Sequence, residues 1–166
     1  MAKVFDLDFE NVRVSGRDFS GKKFGPDQRQ FSVVVEDPEL IERLKRDGAK
    51  IKIYDREDTD DPVVGYLTVK VSFNFGGPKI ALITPEGNSR IFDENTVSEL
   101  DNAWIENVDI HVHGSSWERP TGRGVTTYLD TFVGHLMSKE AIEERRKESQ
   151  YHSDPSRDKY RGIFGD

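Results

Sequence analysis

Hydrophobic and polar residues alternate along most of this chain, and a period of two is typical of β-strands. The alternation is clearest over residues 65–75, where Leu67 and Val69 would point to one side and Tyr66 and Lys70 to the other. Short runs rich in glycine, proline and aspartate separate the alternating stretches and predict turns. The pattern predicts strands over residues 5–14, 31–35, 50–54, 65–75, 80–83, 105–113 and 125–133.

Two breaks in this pattern indicate how the strands are shaped and connected. The phase of the first strand slips near Glu10, which predicts a β-bulge there. A run of two glycines and a proline at 76–78 follows the 65–75 strand. We therefore expect a hairpin between that strand and residues 80–83.

Three segments lack the alternation and predict short helices. Asp37 is a suitable N-cap for a helix that Gly48 would end. Asp93 would cap a second short helical segment that runs to Leu100, and a third helix is expected over 140–148.

About seven short strands with few helices favour a mainly β protein, built as a closed or nearly closed antiparallel barrel or sandwich. The length of 166 residues suits one domain, which we place at 1–138, followed by a helix and a flexible, charge-neutral tail at 139–166. The chain has no cysteine, which excludes a disulfide framework and a thiolate metal site. Its charged first residues and short apolar runs predict neither a signal peptide nor a membrane span, and hence a cytoplasmic location.

The net charge of −7 argues at first against a nucleic-acid partner, because phosphate binding requires lysine and arginine. The charges are segregated, however. Residues 11–35 contain five basic and two acidic residues, whereas residues 93–109 contain six acidic residues and no basic one. Five of the seven residues at 55–61 are also acidic. The sequence therefore allows a basic face on an acidic protein.

The segment from Gly16 to Lys23 resembles a phosphate-binding P-loop, but two features contradict nucleotide binding. A lysine occupies the position of the Mg²⁺-binding hydroxyl, and Gly25-Pro26 prevents the helix that should meet the phosphates. Rings and cations in one glycine-containing loop also suit the phosphate backbone and the bases of a nucleic acid, although either ring could instead fold onto the core. The candidate contacts in this loop are Phe19, Lys22, Lys23 and Phe24.

The outward side of the 65–75 strand is the strongest single observation. An ordinary solvated face would carry scattered charges, whereas this one carries no acid. Residues 50–54 add lysines and a tyrosine with the same period. Rings for stacking, cations for phosphate and polar groups for sugar or base edges are what a sequence-tolerant single-strand binder needs. The positions are Lys50, Lys52, Tyr54, Tyr66, Thr68, Lys70, Ser72 and Asn74.

A second aromatic candidate, Trp117, follows the 105–113 strand in a segment rich in glycine, serine and proline. With Arg119 and Arg123 nearby, it is either a stacking platform or a plug that closes one end of a barrel. Trp104 follows an acidic stretch and is expected in the core.

His111 and His113 lie two residues apart on a predicted strand and share a face, next to Asp109. Two imidazoles and a carboxylate could bind a metal, which raises the hypothesis of a metal-dependent hydrolase. The sequence offers no third strong ligand at a telling spacing, so exposed strand histidines are the favoured interpretation. No catalytic arrangement is legible either, and we predict no enzyme activity, no cofactor and no metal.

Four stretches, at 19–31, 66–74, 78–84 and 108–129, occur in an order and spacing that belong to a known family. Over residues 5–137 the chain resembles the single-stranded DNA-binding proteins of tailed bacteriophages. The resemblance implies an OB-type barrel that coats single-stranded DNA in phage replication or recombination without catalysis. Carried over to matching positions, it implies DNA contacts at Phe24, Arg29, Tyr66, Lys70, Asn74 and Trp117.

The resemblance also implies partners in the host cytoplasm: single-stranded DNA first, then phage replication or recombination proteins. It leaves open whether the protein forms a homo-oligomer. The tail is charge-neutral, unlike the acidic tails of many single-stranded DNA-binding proteins, which puts partner recruitment through it in doubt. The main alternative is a protein-interaction or virion-structural β-barrel that uses the acidic segments and binds no nucleic acid.

Overall fold

The computed structural model describes residues 2–54, 63–74 and 77–151, with residues 54 and 148–151 described as backbone alone. The chain divides into two compact units, Met1–Leu136 and Met137–Asp166. The first unit contains β1 (Lys3–Val12), β2 (Val14–Asp18), β3 (Gln30–Val35), α1 (Pro38–Arg46), β4 (Ile51–Tyr54), β5 (Val64–Lys70), β6 (Lys79–Ile83), β7 (Ser89–Phe92), β8 (Ile105–Arg119) and β9 (Gly122–Leu136), and the second contains α2 (Lys139–Tyr151).

The strands β1 and β2 are two halves of one bent strand. The register of β1 against β8 shifts between Phe9 and Val12, and Asn11 has a φ of 54°. This confirms the predicted bulge near Glu10. A bulge bends the strand and increases its twist, so β1 pairs with β8 while β2 pairs with β3.

The bend brings both ends of the sheet together. The strand order is β1-β8-β9-β5-β3-β2, and it returns to its start through the bent strand. The predicted mainly β, OB-type fold is therefore confirmed. Its pairing is mixed, because β9 runs parallel to both β5 and β6, whereas the sequence predicted an antiparallel barrel throughout.

Several predicted strand limits and connections are wrong. The strand predicted over 65–75 ends at Lys70, and the predicted hairpin to residues 80–83 does not form. Instead β6 pairs with β7, a strand that the sequence did not predict, and with β9. The last two strands are also longer than predicted, and they form one long hairpin with fifteen residues in each strand.

The core lies where the alternating apolar residues of opposite strands meet. The rings of Phe19 and Phe31 are stacked with centroids 5.3 Å apart, and Phe132 packs edge-on against both. All three side chains are fully buried. Trp104, by contrast, is 42% exposed, so its predicted place in the core is wrong.

The first helix, α1, follows its sequence signals. The Asp37 side chain accepts a hydrogen bond from the Glu39 N–H at 3.1 Å, and Ile41 and Leu44 are buried. The chain leaves the helix through Gly48 at a φ of 88°, a conformation that favours glycine. The second predicted helix is instead a short 3₁₀ segment, Val97–Asp101. In the described part of the chain, no helix is long and apolar enough to cross a lipid bilayer.

Candidate nucleic-acid interface

Strands β3, β4 and β5 present one outward surface, which we call the basic sheet face. Lys52 lies opposite Tyr66, and Gln30 lies opposite Lys70. Residues opposite each other in an antiparallel ladder point to the same side. The basic sheet face consists of Gln30, Ser32, Lys50, Lys52, Tyr66, Thr68 and Lys70.

The alternation of β5 fixes which side chains reach this face. Leu67 and Val69 are fully buried, while Tyr66 before them and Lys70 after them are partly exposed. Lys50 and Lys52 on the neighbouring strand are exposed. The register thus brings four of the predicted contact residues to one surface. A fifth, Tyr54, continues the same strand, and its side chain lies outside the described residues.

A groove of about 260 Å³ adjoins the end of β5, with Arg29, Lys70, Asn74 and Tyr128 among its walls. Asn74 lies beyond the end of the strand, in an exposed turn, rather than on the predicted strand face. Tyr128 is a wall residue that the sequence analysis missed. It lies on β9, directly beside Lys70. The sequence signal that could have identified Tyr128 is the one used for Tyr66, an aromatic residue on the polar side of a strand.

Arg29 lines this groove through a largely buried side chain and is not the exposed loop contact that the sequence predicted. Its side chain is only 13% exposed, and its guanidinium lies 5.0 Å from the centre of the Phe73 ring. Glu94 approaches it to 3.7 Å. The Arg29 Nε is buried without a hydrogen-bond partner. Arg29 therefore supplies positive charge to the groove, and Glu94 partly offsets that charge.

The end of the β8–β9 hairpin holds a third group of predicted residues. Trp117 belongs to β8 and pairs with Gly124 of β9, so the predicted loop location of Trp117 is wrong. A Cβ at position 124 would lie 2.6 Å from the indole, so glycine lets the ring lie across the strand. The Arg119 guanidinium lies 5.2 Å from that ring. Trp117 and Arg123 line a groove of about 770 Å³.

Among the predicted contacts whose side chains the structure describes, Phe19 alone lies in the core. Its side chain has no exposed surface and packs against both Phe31 and Phe132. A base cannot stack on a ring that is covered on both faces. The prediction of a DNA contact at Phe19 is therefore wrong.

Residues 22–24 of the 19–25 loop are exposed, but carboxylates hold the backbone of the loop. Asp18 is buried and accepts hydrogen bonds from the N–H groups of Lys23 and Phe24 at 3.2 and 3.0 Å. In a P-loop such N–H groups would face phosphates. The loop leaves Lys22, Lys23 and Phe24 at the surface, and Phe24 is 47% exposed with the Lys23 ammonium 5.3 Å from its ring centre.

A region of opposite charge lies on β1, β8 and β9, and we call it the acid–histidine patch. The Nδ1 of His111 lies 2.5 Å from Asp8, and its Nε2 contacts Asp6. Hydrogen bonding to Asp8 raises the pKa of His111. The Nδ1 of His113 lies 2.8 Å from both carboxylate oxygens of Asp130. The acid–histidine patch consists of Asp6, Asp8, His111, His113 and Asp130.

The predicted grouping of Asp109 with His111 and His113 is wrong. Asp109 instead pairs with His135 of β9, whose Nε2 lies 2.9 Å from its carboxylate. Asp109 also accepts a hydrogen bond from the Asn11 N–H at 2.8 Å. The hydrogen bond from His135 is the main reason why the pKa of Asp109 is lowered.

Comparison with known proteins gives a family and a fold. Residues 1–155 match the model of a family described as a putative phage ssDNA-binding domain. No match was found among curated proteins.

Among solved structures, the single-stranded DNA-binding protein from bacteriophage Enc34 matches with a TM-score of 0.50 at 14% identity, over 81% of this chain and 82% of that one. The same protein solved in complex with ssDNA matches with a TM-score of 0.50 at 13% identity, over 81% of this chain and 88% of that one. The gp2.5 single-stranded DNA-binding protein of bacteriophage T7 matches with a TM-score of 0.41 at 9% identity, over 83% and 89%. At identities of 13–14%, the likeness to the Enc34 protein shows the fold alone.

Proposed function

Because the chain belongs to the family of putative phage ssDNA-binding domains, we propose that it binds single-stranded DNA across the basic sheet face. The observation that carries the proposal is the register that places Lys50, Lys52, Tyr66 and Lys70 on one surface. A strand of DNA needs cations along its phosphates and flat rings for its bases.

The basic sheet face supplies these groups without a carboxylate among its seven residues. Lysine is a point charge on a flexible stem, so Lys50, Lys52 and Lys70 would contact phosphates without demanding one geometry. Tyr66 offers a ring that any base can stack on. Hydroxyl and amide groups of the face would bind sugars or base edges. This combination favours binding that is independent of sequence.

Two further groups extend the proposed path along β9. Ala49, which precedes β4, forms a bridge to Val125, next to the Gly124 on which Trp117 lies. Farther along β9, Tyr128 lies beside Lys70 at the groove. The proposed contacts are therefore the basic sheet face, Tyr128, Asn74 and Arg29 at the groove, Trp117, Arg119 and Arg123 on the hairpin, Lys22, Lys23 and Phe24 in the exposed loop, and Tyr54.

In this proposal the protein is a non-catalytic partner of DNA. It coats and protects single strands during phage replication or recombination, in the cytoplasm of the bacterial host. Proteins of those processes are the further partners to test. Four N–H groups of the 19–25 loop donate to Asp18 or Asp101, so they are not available to hold the phosphates of a nucleotide as in a P-loop.

The deciding experiment is a titration of labelled oligo-dT, followed by fluorescence anisotropy at about 50 and 200 mM salt. Each phosphate neutralised on a single strand contributes about 0.7 to the slope of log affinity against log salt. We expect Lys52→Gln and Lys70→Gln each to lower the slope by about 0.7. Lys45→Gln is the matched control, an exposed lysine on α1 outside the proposed path.

The alternative, a protein-interaction or virion-structural barrel, predicts no affinity for oligo-dT at the lower salt concentration. That result would end the proposal. Equal slopes for Lys45→Gln and Lys70→Gln would keep DNA binding but reject the basic sheet face as its site.

A further inference from the structure

We propose that the acid–histidine patch binds one divalent transition-metal ion, of the Zn²⁺ type. Its ligands would be the Nε2 of His111 and one carboxylate oxygen each from Asp6 and Asp130. These three atoms come from three neighbouring strands and lie within 4.8 Å of one another. Zinc bonds to nitrogen and oxygen are about 2.0–2.2 Å long, so the contact between the His111 Nε2 and Asp6 would open by about 1 Å to admit an ion.

The charges around His111 are unbalanced without a cation. Three carboxylates, Asp6, Asp8 and Asp130, approach one imidazole. Lys3, whose ammonium lies 3.0 Å from Asp6, offsets one of them. A divalent cation between the carboxylates would neutralise the remaining two charges, whereas a proton on His111 would neutralise only one.

Both nitrogens of His111 face carboxylates, Nδ1 facing Asp8 and Nε2 facing Asp6 and Asp130. In a neutral imidazole, Asp8, 2.5 Å from Nδ1, is placed to accept the one N–H. The Nε2 lone pair would then face two carboxylates, an arrangement that a bound cation would stabilise. Metal-bound histidines commonly donate their second nitrogen to a carboxylate in this way. His113 is likewise placed to donate a hydrogen bond to the proposed ligand Asp130, since the His113 Nδ1 lies 2.8 Å from both carboxylate oxygens of Asp130.

A local irregularity of the hairpin places the third ligand. His111 pairs with Thr131 and Val112 pairs with Leu129, which leaves Asp130 as an extra residue on β9. Such bulges re-aim a side chain that regular pairing would direct elsewhere. Here the bulge brings Asp130 within 3.8 Å of the His111 Nε2.

The ligand set indicates the kind of ion and its effect. One imidazole with two carboxylates favours Zn²⁺ or Mn²⁺ over Mg²⁺, which prefers oxygen ligands alone. The ion would link β1 to the β8–β9 hairpin and stabilise the fold. The sequence did not predict a metal site because the residues that surround His111 are far from it along the chain. Asp8, for example, lies 103 residues from His111.

The test titrates ZnCl₂ into the full chain, without an affinity tag, by isothermal calorimetry at about pH 8, which is above the ordinary imidazole pKa. We expect one equivalent of Zn²⁺ to bind and MgCl₂ to bind at least about tenfold more weakly. His111→Gln and Asp130→Asn should each lose at least about tenfold in Zn²⁺ affinity. Asp8→Asn should lose about 10- to 100-fold, the usual effect of removing an outer carboxylate.

His135→Gln is the matched control. His135 is 37% exposed against 34% for His111 and also contacts an aspartate, Asp109. This variant should bind Zn²⁺ as the unmodified chain does. Thermal unfolding gives a second readout: Zn²⁺ should raise the melting temperature of the unmodified chain and of His135→Gln but not of His111→Gln. Circular dichroism checks that each variant is folded.

Three results would overturn the proposal: no Zn²⁺ binding by the unmodified chain, full affinity in His111→Gln, or equal losses in His111→Gln and His135→Gln. None of these measurements involves DNA. The metal site and the proposed DNA-binding function therefore stand or fall separately.

Discussion

The basic sheet face and the acid–histidine patch occupy the same outer surface of the barrel but carry opposite charge. Lys50, Lys52 and Lys70 lie on one, whereas three aspartates lie on the other. Tyr128 marks the boundary, because it lies beside Lys70 and its ring stacks on His113 with centroids 5.6 Å apart. The net charge of −7 describes neither region. Strand register, rather than composition, decides where a phosphate backbone would be attracted.

Reversing the charge of the basic sheet face should have the largest effect. In the triple variant Lys50→Glu, Lys52→Glu, Lys70→Glu, three attractions to phosphate become repulsions. We expect oligo-dT affinity at low salt to fall by at least about 100-fold. Anisotropy titration measures the change.

The matched triple variant for that experiment is Arg43→Glu, Lys45→Glu, Lys79→Glu. These three cations are exposed, and the change in net charge is the same. We expect it to lose less than about tenfold, since its charges lie outside the proposed path and salt screens them. Equal losses in both triples would mean that total charge, not a face, governs binding.

Adjacent residues on β5 should separate binding from stability. Tyr66→Ala removes a stacking ring and should cost about 1–3 kcal/mol of binding free energy, with little change in unfolding. Leu67→Ala creates a cavity in the core and should lower the free energy of unfolding by about 2–5 kcal/mol, while the folded protein keeps its affinity. Anisotropy and urea denaturation measure the two quantities. Loss of binding in Leu67→Ala without destabilisation would contradict the assignment of faces.

The smallest effect should come from removing one carboxylate. Glu94→Gln removes the negative charge that lies 3.7 Å from the Arg29 guanidinium in the groove. We expect this variant to bind oligo-dT about two- to fivefold more tightly. Asp8→Asn makes the same charge change in the acid–histidine patch and should raise affinity by less than about twofold, because salt screens the more distant charge. A larger gain for Asp8→Asn would place the DNA path over the patch.

Features that depend on neighbouring residues were predictable from the sequence. The period of two separated Tyr66 from Leu67, and the capping aspartate with the following glycine delimited α1. The phase slip near Glu10 located the bulge. The assignment of Lys50, Lys52, Tyr66 and Lys70 to an outward face follows from the same local rule, because side chains in a strand alternate between two sides.

Loop side chains were less predictable. The 19–25 loop contains two phenylalanines in similar surroundings, and the structure buries Phe19 while leaving Phe24 47% exposed. Only the tertiary contacts of Phe19 with Phe31 and Phe132 distinguish the two rings. Arg29 likewise packs on Phe73, which no local signal indicated.

What the sequence determined by itself was therefore the strands, their two sides and the mainly β class. What only the tertiary structure decided was which strands lie side by side: β6 beside β9 rather than β5, Tyr128 beside Lys70, and Asp6 beside His111. The physical reason is that alternation is a short-range property of each strand, whereas pairing depends on which partners, far apart in sequence, together bury the core. Both the proposed DNA path and the proposed metal site arise from that second level.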